Sequence, residues 1–210
     1  LCCGKPLLQW TVEAARSSNR LSRIILSTDS HKIEKLGRKL GIEVPFVRPS
    51  HLSGADSPMV PVMQHALDWL EATSAKVDGL VLLQPTSPLR QGCQIDEAID
   101  LFLNTGSETV VSVMEVPHIY APDTMHQIED DQLIPYLDES TNKQDSTMDK
   151  VFVRNGPAIL INRPSVIRRG DKFGDPLTPY LMSRDTSVDI DDPLDLLLAE
   201  CLLKNQKRFR

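Results

Sequence analysis

Residues 80–114 read LVLLQPTSPLRQGCQIDEAIDLFLNTGSETVVSVM, and this stretch decides the fold. The apolar run 80–83 predicts a short buried strand, and residues 109–114 predict a second one. Between the two runs, apolar side chains recur at helical spacing at Ile95, Ile99 and Phe102. A strand, a helix of about 10–15 residues and another strand form a βαβ unit, whose strands lie parallel.

The same alternation continues on both sides of this unit. Short apolar runs predict further strands at residues 24–26, 44–47, 150–154, 158–162 and 187–191. A last helix begins at Pro193, behind the natural cap Asp192. We therefore expect one α/β domain over residues 1–210, with a mostly parallel sheet and helices on both faces. In such sheets, ligands bind beyond the carboxyl ends of the strands.

The alternation breaks at residues 117–150, which have no sustained apolar period and contain three prolines. A gap of this length in a compact domain is usually a functional excursion, a partner-binding excursion or a disordered segment. A β-like patch at residues 128–137 indicates a hairpin, so we interpret the segment as an arm. A mobile surface loop is the alternative.

The composition excludes several classes of protein. The chain has 210 residues, 40% hydrophobic and 25% charged, with a net charge of −6 and 5% aromatic residues. An acidic chain with few aromatics is a poor binder of nucleic acid. Four cysteines without a C-x-x-C pair or a histidine at ligand spacing argue against a zinc site or a disulfide framework, and favour the cytoplasm. No apolar run is long enough to span a membrane, and the first residues do not form a signal peptide.

The last predicted strand carries paired carboxylates. On a strand, Ser187, Asp189 and Asp191 share one face. Two neighbouring carboxylates repel each other unless a cation lies between them, and hard oxygen ligands suit Mg²⁺. The alternative is that Asp191 and Asp192 only cap the last helix.

Residues 84–90, QPTSPLR, follow the strand 80–83 and contain two prolines. Because proline fixes the backbone, Gln84, Ser87 and Arg90 are expected to be held in place, as a binding site requires. A rigid strand-to-helix turn is the alternative.

Two signals are weaker. Arg48 follows the strand 44–47 and is placed to pair with a phosphate or a base carbonyl, although most arginines are solvated surface groups. Asn155-Gly156 lies between two late strands, where this dipeptide is usually a tight hairpin turn. No G-x-G-x-x-G or G-x-x-x-x-G-K-[ST] motif is present.

Taken in order, these segments resemble the acylneuraminate cytidylyltransferases, the CMP-sugar synthetases of nonulosonic acids. The matching pieces cover nearly the whole chain: GKPLL at 4–8, STD at 27–29, RP at 48–49, QPTSPLR at 84–90, RNG at 154–156, SVDID at 187–191 and PLD at 193–195. The resemblance implies a Rossmann-like nucleotidyltransferase fold and the reaction CTP + sugar acid → CMP-sugar + pyrophosphate, with Mg²⁺.

The resemblance also implies roles for individual residues. The anomeric hydroxyl of the sugar acid would attack the α-phosphate in line. Asp189 and Asp191 would be the catalytic metal ligands. The cytidine would be bound by Arg48, Asp56 and Ser57, and the sugar acid by Gln84, Arg90 and Asn155. The arm 117–150 would form a homodimer and lend residues to the neighbouring site.

The sequence departs from this family in two ways. The family begins with a strand and an R-x-G-S-K-G loop that cradles the triphosphate, and these residues contain no such loop. We therefore expect an N-terminally truncated chain that is inactive alone, with a catalytically silent binding or assembly subunit as the alternative. A third reading, from fold analogy, is another nucleotide-sugar transferase. Residues 157–161 read PAILI where sialic acid enzymes place a tyrosine, which leaves legionaminic, pseudaminic or another nonulosonic acid open.

Overall fold

A computed structural model describes residues 1–54, 56–73, 76–136 and 150–205 of the chain. The helices are α1 Leu7–Ser17, α2 His31–Lys39, α3 Met59–Thr73, α4 Gly92–Thr105, α5 Pro164–Arg168 and α6 Pro193–Lys204. The strands are β1 Leu80–Leu82, β2 Thr109–Glu115, β3 His126–Glu129, β4 Gln132–Pro135, β5 Phe152–Arg154, β6 Leu160–Asn162 and β7 Leu177–Leu181. Of the helices described, none is long and apolar enough to cross a membrane.

Strand β2 is the centre of the sheet. It pairs with β6 and then β5 along one edge, and with β7 along the other. Strand β1 pairs with the outer edge of β6. Only the β2–β7 ladder is parallel; the β1–β6, β2–β5 and β2–β6 ladders are antiparallel. The prediction of a mostly parallel sheet is therefore wrong for these ladders, because the chain returns through β5 and β6 beside β2 without a crossover helix.

The segment between β5 and β6 forms a bulge opposite β2, which the sequence did not reveal. Val111 pairs with Leu160 of β6, and Val113 pairs with Arg154 of β5. The partners are thus two residues apart in β2 but six residues apart in the segment that pairs with it. The four extra residues contain Asn155-Gly156. This dipeptide is therefore part of a bulge between two strands that share one partner, and the hairpin-turn interpretation is wrong.

Helices cover both faces of the sheet, as predicted. Val110, Ile159 and Ile161 pack against α1 and α4 on one face. Val111, Val113 and Leu160 pack against α3 and α5 on the other. A third cluster packs α6 against Cys2 and Leu89. The three-layer arrangement follows from the apolar runs of the strands, which bury side chains on both faces.

A slot of ≈ 600 Å³ separates β1 from the extended residues 23–28. Ile25 and Thr28 form parallel bridges with Glu43 and Val47, and the slot lies on the opposite side of this pair. Successive residues of β1 and of the extended segment 23–28 line the slot. Because side chains of an extended chain alternate between its two faces, the slot borders the backbone edges of both segments and not their faces. The backbone N–H and C=O of Ile25 have no partner among the described residues. Residues 24–26, predicted to be buried, are accordingly only half-buried.

The arm contains the predicted hairpin. Strands β3 and β4 pair antiparallel, with Ile128 opposite Leu133. Their apolar side chains are 76% and 67% exposed. Residues 137–149 of the predicted arm lie outside the described residues.

Candidate active site

Three segments of the chain meet at the bulge between β5 and β6: residues 84–90, residues 187–191 and the bulge itself. The backbone N–H of Ile190 donates to the carbonyl oxygen of Thr86 at 2.9 Å, which joins residues 187–191 to residues 84–90. The Asn155 amide donates to the Ser187 hydroxyl at 2.9 Å, which joins the bulge to the first of these segments. Sequence motifs that lie up to about 100 residues apart are thus brought to one place.

Arg90 fastens residues 84–90 to the sheet. Its guanidinium donates to the Ala158 carbonyl at 2.6 Å and to the Thr11 hydroxyl at 2.9 Å. A third bond, at 3.2 Å, goes to the Gln84 carbonyl. Burial lowers the pKa of Arg90 to about 10. A guanidinium shared among internal acceptors acts as a brace, so Arg90 holds Gln84 in place.

The side-chain amide of Asn155 also forms its hydrogen bonds within the protein. It is 4% exposed, and it accepts a 2.6 Å bond from the Ser112 hydroxyl in addition to donating to Ser187. Ser112 in turn accepts the N–H of Ile159 at 2.9 Å. The amide therefore fixes the shape of the bulge, and its polar atoms are used within the protein.

Asp189 lies against the glycine of the bulge. A Cβ added at Gly156 would lie 3.0 Å from Asp189 Oδ2, and Gly156 has a φ of +113°. Asp189 Oδ1 is enclosed and has no hydrogen-bond partner among the described residues. An enclosed carboxylate oxygen without a donor is costly unless a proton donor or a cation completes it. Asp189 therefore fits the metal-ligand role that the resemblance implies.

Asp191 and Asp192 have different surroundings. Asp192 accepts the N–H groups of Leu194 and Asp195, so the predicted cap of α6 is confirmed. Asp191 is exposed, and its N–H donates to Asp195 Oδ2 at 3.1 Å. Residues 187–191 are irregular, so the prediction of a strand there is wrong. Val188 and Ile190 still pack inward, against α6 and its neighbours.

Of the predicted nucleotide-binding residues Arg48, Asp56 and Ser57, only Arg48 lines the slot. Arg48 pairs with Asp29 at 3.2 Å and lines the slot together with Gln84 and Ser27. Arg48 Nε and the Ser27 hydroxyl are enclosed without partners among the described residues. Asp56 is exposed and Ser57 is half-buried before α3, with the Ser57 N–H bonded to the Gly54 carbonyl at 3.0 Å. No contact of Asp56 or Ser57 with Arg48 is found in the part of the chain that the structure describes.

Sequence reasoning missed two residues of this site as site residues. Ser112 lies within an apolar strand and belongs to no motif. Its hydroxyl nevertheless holds the bulge in place, because it donates to Asn155 and accepts from the Ile159 N–H. The Ser87 hydroxyl is enclosed and has no partner among the described residues, although the sequence indicated only that it is held. The one available signal for Ser112 was a polar residue in the middle of the run TVVSVM.

The fold has solved counterparts. It is similar to that of a CMP:2-keto-3-deoxy-manno-octonic acid synthetase complexed with CTP, at a TM-score of 0.70 and 13% identity, covering 98% of this chain and 90% of that one. It is also similar to a 4-diphosphocytidyl-2C-methyl-D-erythritol synthase from Anaerococcus prevotii, at a TM-score of 0.61 and 11% identity, covering 98% and 92%. The chain therefore has the same α/β fold as these two enzymes.

The sequence shows the family to which the chain belongs. Residues 2–182 match the cytidylyltransferase family, and the chain belongs to this family. It is 28% identical to the CMP-N,N'-diacetyllegionaminic acid synthase of Legionella pneumophila over 97% of this chain and 88% of that protein. It is 27% identical to the N-acylneuraminate cytidylyltransferase of Escherichia coli over 97% of this chain and 47% of that protein.

Proposed function

We propose that this protein transfers CMP from CTP to the anomeric hydroxyl of a nonulosonic, sialic-acid-like sugar acid and releases pyrophosphate. The oxygen of the sugar forms a bond to the α-phosphorus, and the bond from the α-phosphorus to the oxygen that bridges to the β-phosphate breaks. Pyrophosphate leaves, and the hydroxyl proton passes to solvent. Membership of the cytidylyltransferase family and the names of the relatives support this proposal.

The observation that carries the proposal is the enclosed oxygen of Asp189 beside Gly156. Mg²⁺ bound there would offset the negative charge that builds on the phosphate oxygens during transfer. Asp189 supplies the enclosed ligand, and the exposed Asp191 supplies a second carboxylate two residues further on. The hydrogen bond between Ile190 and Thr86 holds residues 187–191 in place. The Asp189 carboxylate is therefore already positioned before substrate binds, which lowers the entropy cost of the reaction.

Substrate contacts are assigned to side chains with free polar atoms. Arg48 and the residues Asp56 and Ser57 are proposed to face the cytidine, and Gln84 the sugar acid. Arg90 and Asn155 are positioning residues in this proposal, because the terminal nitrogens of Arg90 and the amide of Asn155 bond to the protein. They act by holding Gln84 and the bulge.

We also infer a homodimer formed through the arm, and a cytoplasmic location. The hairpin exposes Ile128 and Leu133 on one face, a patch that water does not favour. The four cysteines are all free thiols, which fits a reducing compartment.

The test is product formation by the protein expressed from its gene. It is incubated with Mg²⁺, each of the four ribonucleoside triphosphates and a panel of neuraminic, legionaminic and pseudaminic acids. Mass spectrometry should detect a CMP-sugar with CTP and at least one of these acids. No product with any pair, from a folded protein, would refute the proposal.

The 210 residues by themselves are expected to give little turnover. They contain no glycine-rich basic loop to hold the triphosphate, and the slot beside Arg48 and Gln84 is open. A steady-state assay of the 210-residue chain measures the effect. Robust turnover would mean that other residues hold the phosphates.

A further inference from the structure

Two adjacent cysteines and a distant glutamate form a second cluster of ligand atoms. The sulfur atoms of Cys2 and Cys3 and a carboxylate oxygen of Glu200 all lie within 4.8 Å of one another. Among the described residues, these are the three metal-ligating side chains that lie close enough together to bind one cation. Asp189 and Asp191 do not belong to it. Sequence spacing could not reveal the cluster, because Glu200 lies 197 residues beyond Cys3.

A closed turn brings the two thiols together. The Cys2 N–H donates to the Lys5 carbonyl at 2.8 Å, and the Lys5 N–H donates back to Cys2 at 3.0 Å. Cys3 has a φ of +48° and Gly4 one of +77°. Neighbouring side chains of an extended chain point to opposite sides, whereas a left-handed turn residue changes that direction. Positive φ is uncommon for a residue other than glycine and is found mostly at asparagine and aspartate, so its occurrence at Cys3 suggests a functional constraint.

Helix α6 supplies the third ligand in a fixed position. The Cys3 N–H donates to Glu200 Oε1 at 2.7 Å, and the Cys3 sulfur lies 3.7 Å from the Glu200 carbonyl oxygen. Lys204 approaches Oε2 at 3.4 Å. Each carboxylate oxygen has two lone pairs, so one remains available on each after these contacts. Cys2 is fully buried in the cluster that packs against α6, so its sulfur has a fixed place.

We propose that Cys2, Cys3 and Glu200 form a binding site for a thiophilic divalent cation of the Zn²⁺ class. Thiolate sulfur and carboxylate oxygen are Zn²⁺ ligands at about 2.3 and 2.0–2.2 Å, which needs only small side-chain movements from the observed separations. Binding forms two metal–sulfur bonds and one metal–oxygen bond and releases the two thiol protons to solvent, without oxidation or reduction. With three protein ligands, a tetrahedral cation would take water as its fourth ligand.

The cation would fasten the N-terminal turn to α6. This role is independent of the magnesium role proposed for Asp189, since the two sets of residues do not overlap and their ligand chemistry differs. A cation that binds only the folded chain raises its melting temperature.

The test is titration of the reduced, metal-free protein with Cd²⁺, whose bonds to thiolate produce an ultraviolet charge-transfer absorption. We expect one Cd²⁺ per chain, displaced by Zn²⁺, and a rise in melting temperature with Zn²⁺. Cys3→Ser should remove the absorption step and the thermal shift. Glu200→Gln keeps an acceptor for the Cys3 N–H and should weaken binding by about tenfold or more.

Cys93→Ser and Cys201→Ser are the matched controls, because both thiols are exposed and lie outside the cluster. Both variants should titrate like the unmodified protein. Binding that survives Cys3→Ser unchanged, or that is lost equally in either control, would overturn the proposal. If Cys3→Ser fails to fold, an unchanged titration of Glu200→Gln overturns it.

Discussion

Ile190 and Thr86 share a hydrogen bond, in which the Ile190 N–H donates to the Thr86 carbonyl at 2.9 Å. This bond places Asp189 and Asp191, the residues on either side of Ile190, next to the strand-to-helix turn that contains Gln84. The turn is itself braced by Arg90. One set of hydrogen bonds therefore joins the segments that contain both carboxylates and Gln84, which fits the phosphoryl transfer proposed above.

Asp189→Asn and Asp191→Asn should each leave the fold intact and lower turnover by about 100-fold, the scale of losing one charge contact in the transition state. Asparagine preserves the shape of the side chain but removes the charge that a hard cation needs. Steady-state rates over a range of Mg²⁺ concentrations measure the effect, and excess Mg²⁺ should recover part of it.

Asp192→Asn is the control for both carboxylates. Asp192 caps α6, and asparagine caps a helix about as well as aspartate, so turnover should change little. If Asp192→Asn proved as damaging as Asp191→Asn, the site would be a helix cap and not a metal site. If Asp191→Asn unfolded the protein, its role would be structural.

Gly156→Ala should lower turnover as well as stability. A Cβ at this position would lie 3.0 Å from Asp189 Oδ2, and the φ of +113° is strained for alanine, at about 1–3 kcal/mol. Gly170→Ala is the matched control, because Gly170 has a φ of +82° and nothing within 4 Å of the added Cβ. Gly170→Ala should lose stability in urea unfolding and keep its turnover. Equal turnover in the two variants would contradict the placement of Asp189.

The free energy of unfolding should depend on pH through Asp96. Burial raises the pKa of the Asp96 carboxyl, but hydrogen bonds from Ser18, Asn19 and Arg20 lower it below its ordinary value overall. An aspartate with a lowered pKa in the folded state stabilises the protein above about pH 3.9 and loses that contribution as pH falls through the folded-state pKa. Asp96→Asn should therefore be less stable than the unmodified protein near neutral pH, and the difference should shrink in acid. A difference that does not change with pH would contradict this assignment.

The hairpin β3–β4 should carry the dimer contact. Replacing Ile128 and Leu133 together by aspartate removes a cross-strand apolar pair that is 76% and 67% exposed. Light scattering should then show a monomer. Leu194→Asp on α6 is the control, since Leu194 is 71% exposed but lies far along the chain from the arm. Dissociation by the control alone would assign the interface to α6.

Local patterns predicted much of the fold. The apolar periods predicted helices on both faces and the arm hairpin, and Asp192-Pro193 predicted the beginning of α6; the structure confirms each of these. These features depend on residues close together in the sequence, so propensity and capping chemistry are enough to find them.

Long-range pairing could not be predicted in the same way. Apolar runs do not reveal which strand lies beside β2, so the antiparallel β5 and β6 were expected to be parallel. Strand β7 was missed because Pro179 interrupts its pattern, although a proline is tolerated where the strand pairs on one side only. Val188 and Ile190 are half-buried and pack inward as alternate residues of a strand would, yet the segment is irregular.

The site shows the same division. The motifs at 84–90, 154–156 and 187–191 were each found from the sequence, and the structure brings them together. Their individual roles were less accessible, because a motif does not show which atoms are already bonded. Arg90 and Asn155 were predicted to contact the sugar acid. In the structure the terminal nitrogens of Arg90 bond to Ala158 and Thr11, and the Asn155 amide bonds to Ser112 and Ser187.

The transfer of CMP from CTP is tested most directly by following two labels in one reaction. The protein expressed from its gene is supplied with CTP labelled at the α-phosphorus or at the γ-phosphorus, together with Mg²⁺ and the accepted nonulosonic acid. The α-label should appear in the CMP-sugar and the γ-label in pyrophosphate, in equal amounts. An α-label that stays with free CMP, or a γ-label that moves to the sugar, would contradict the proposed reaction.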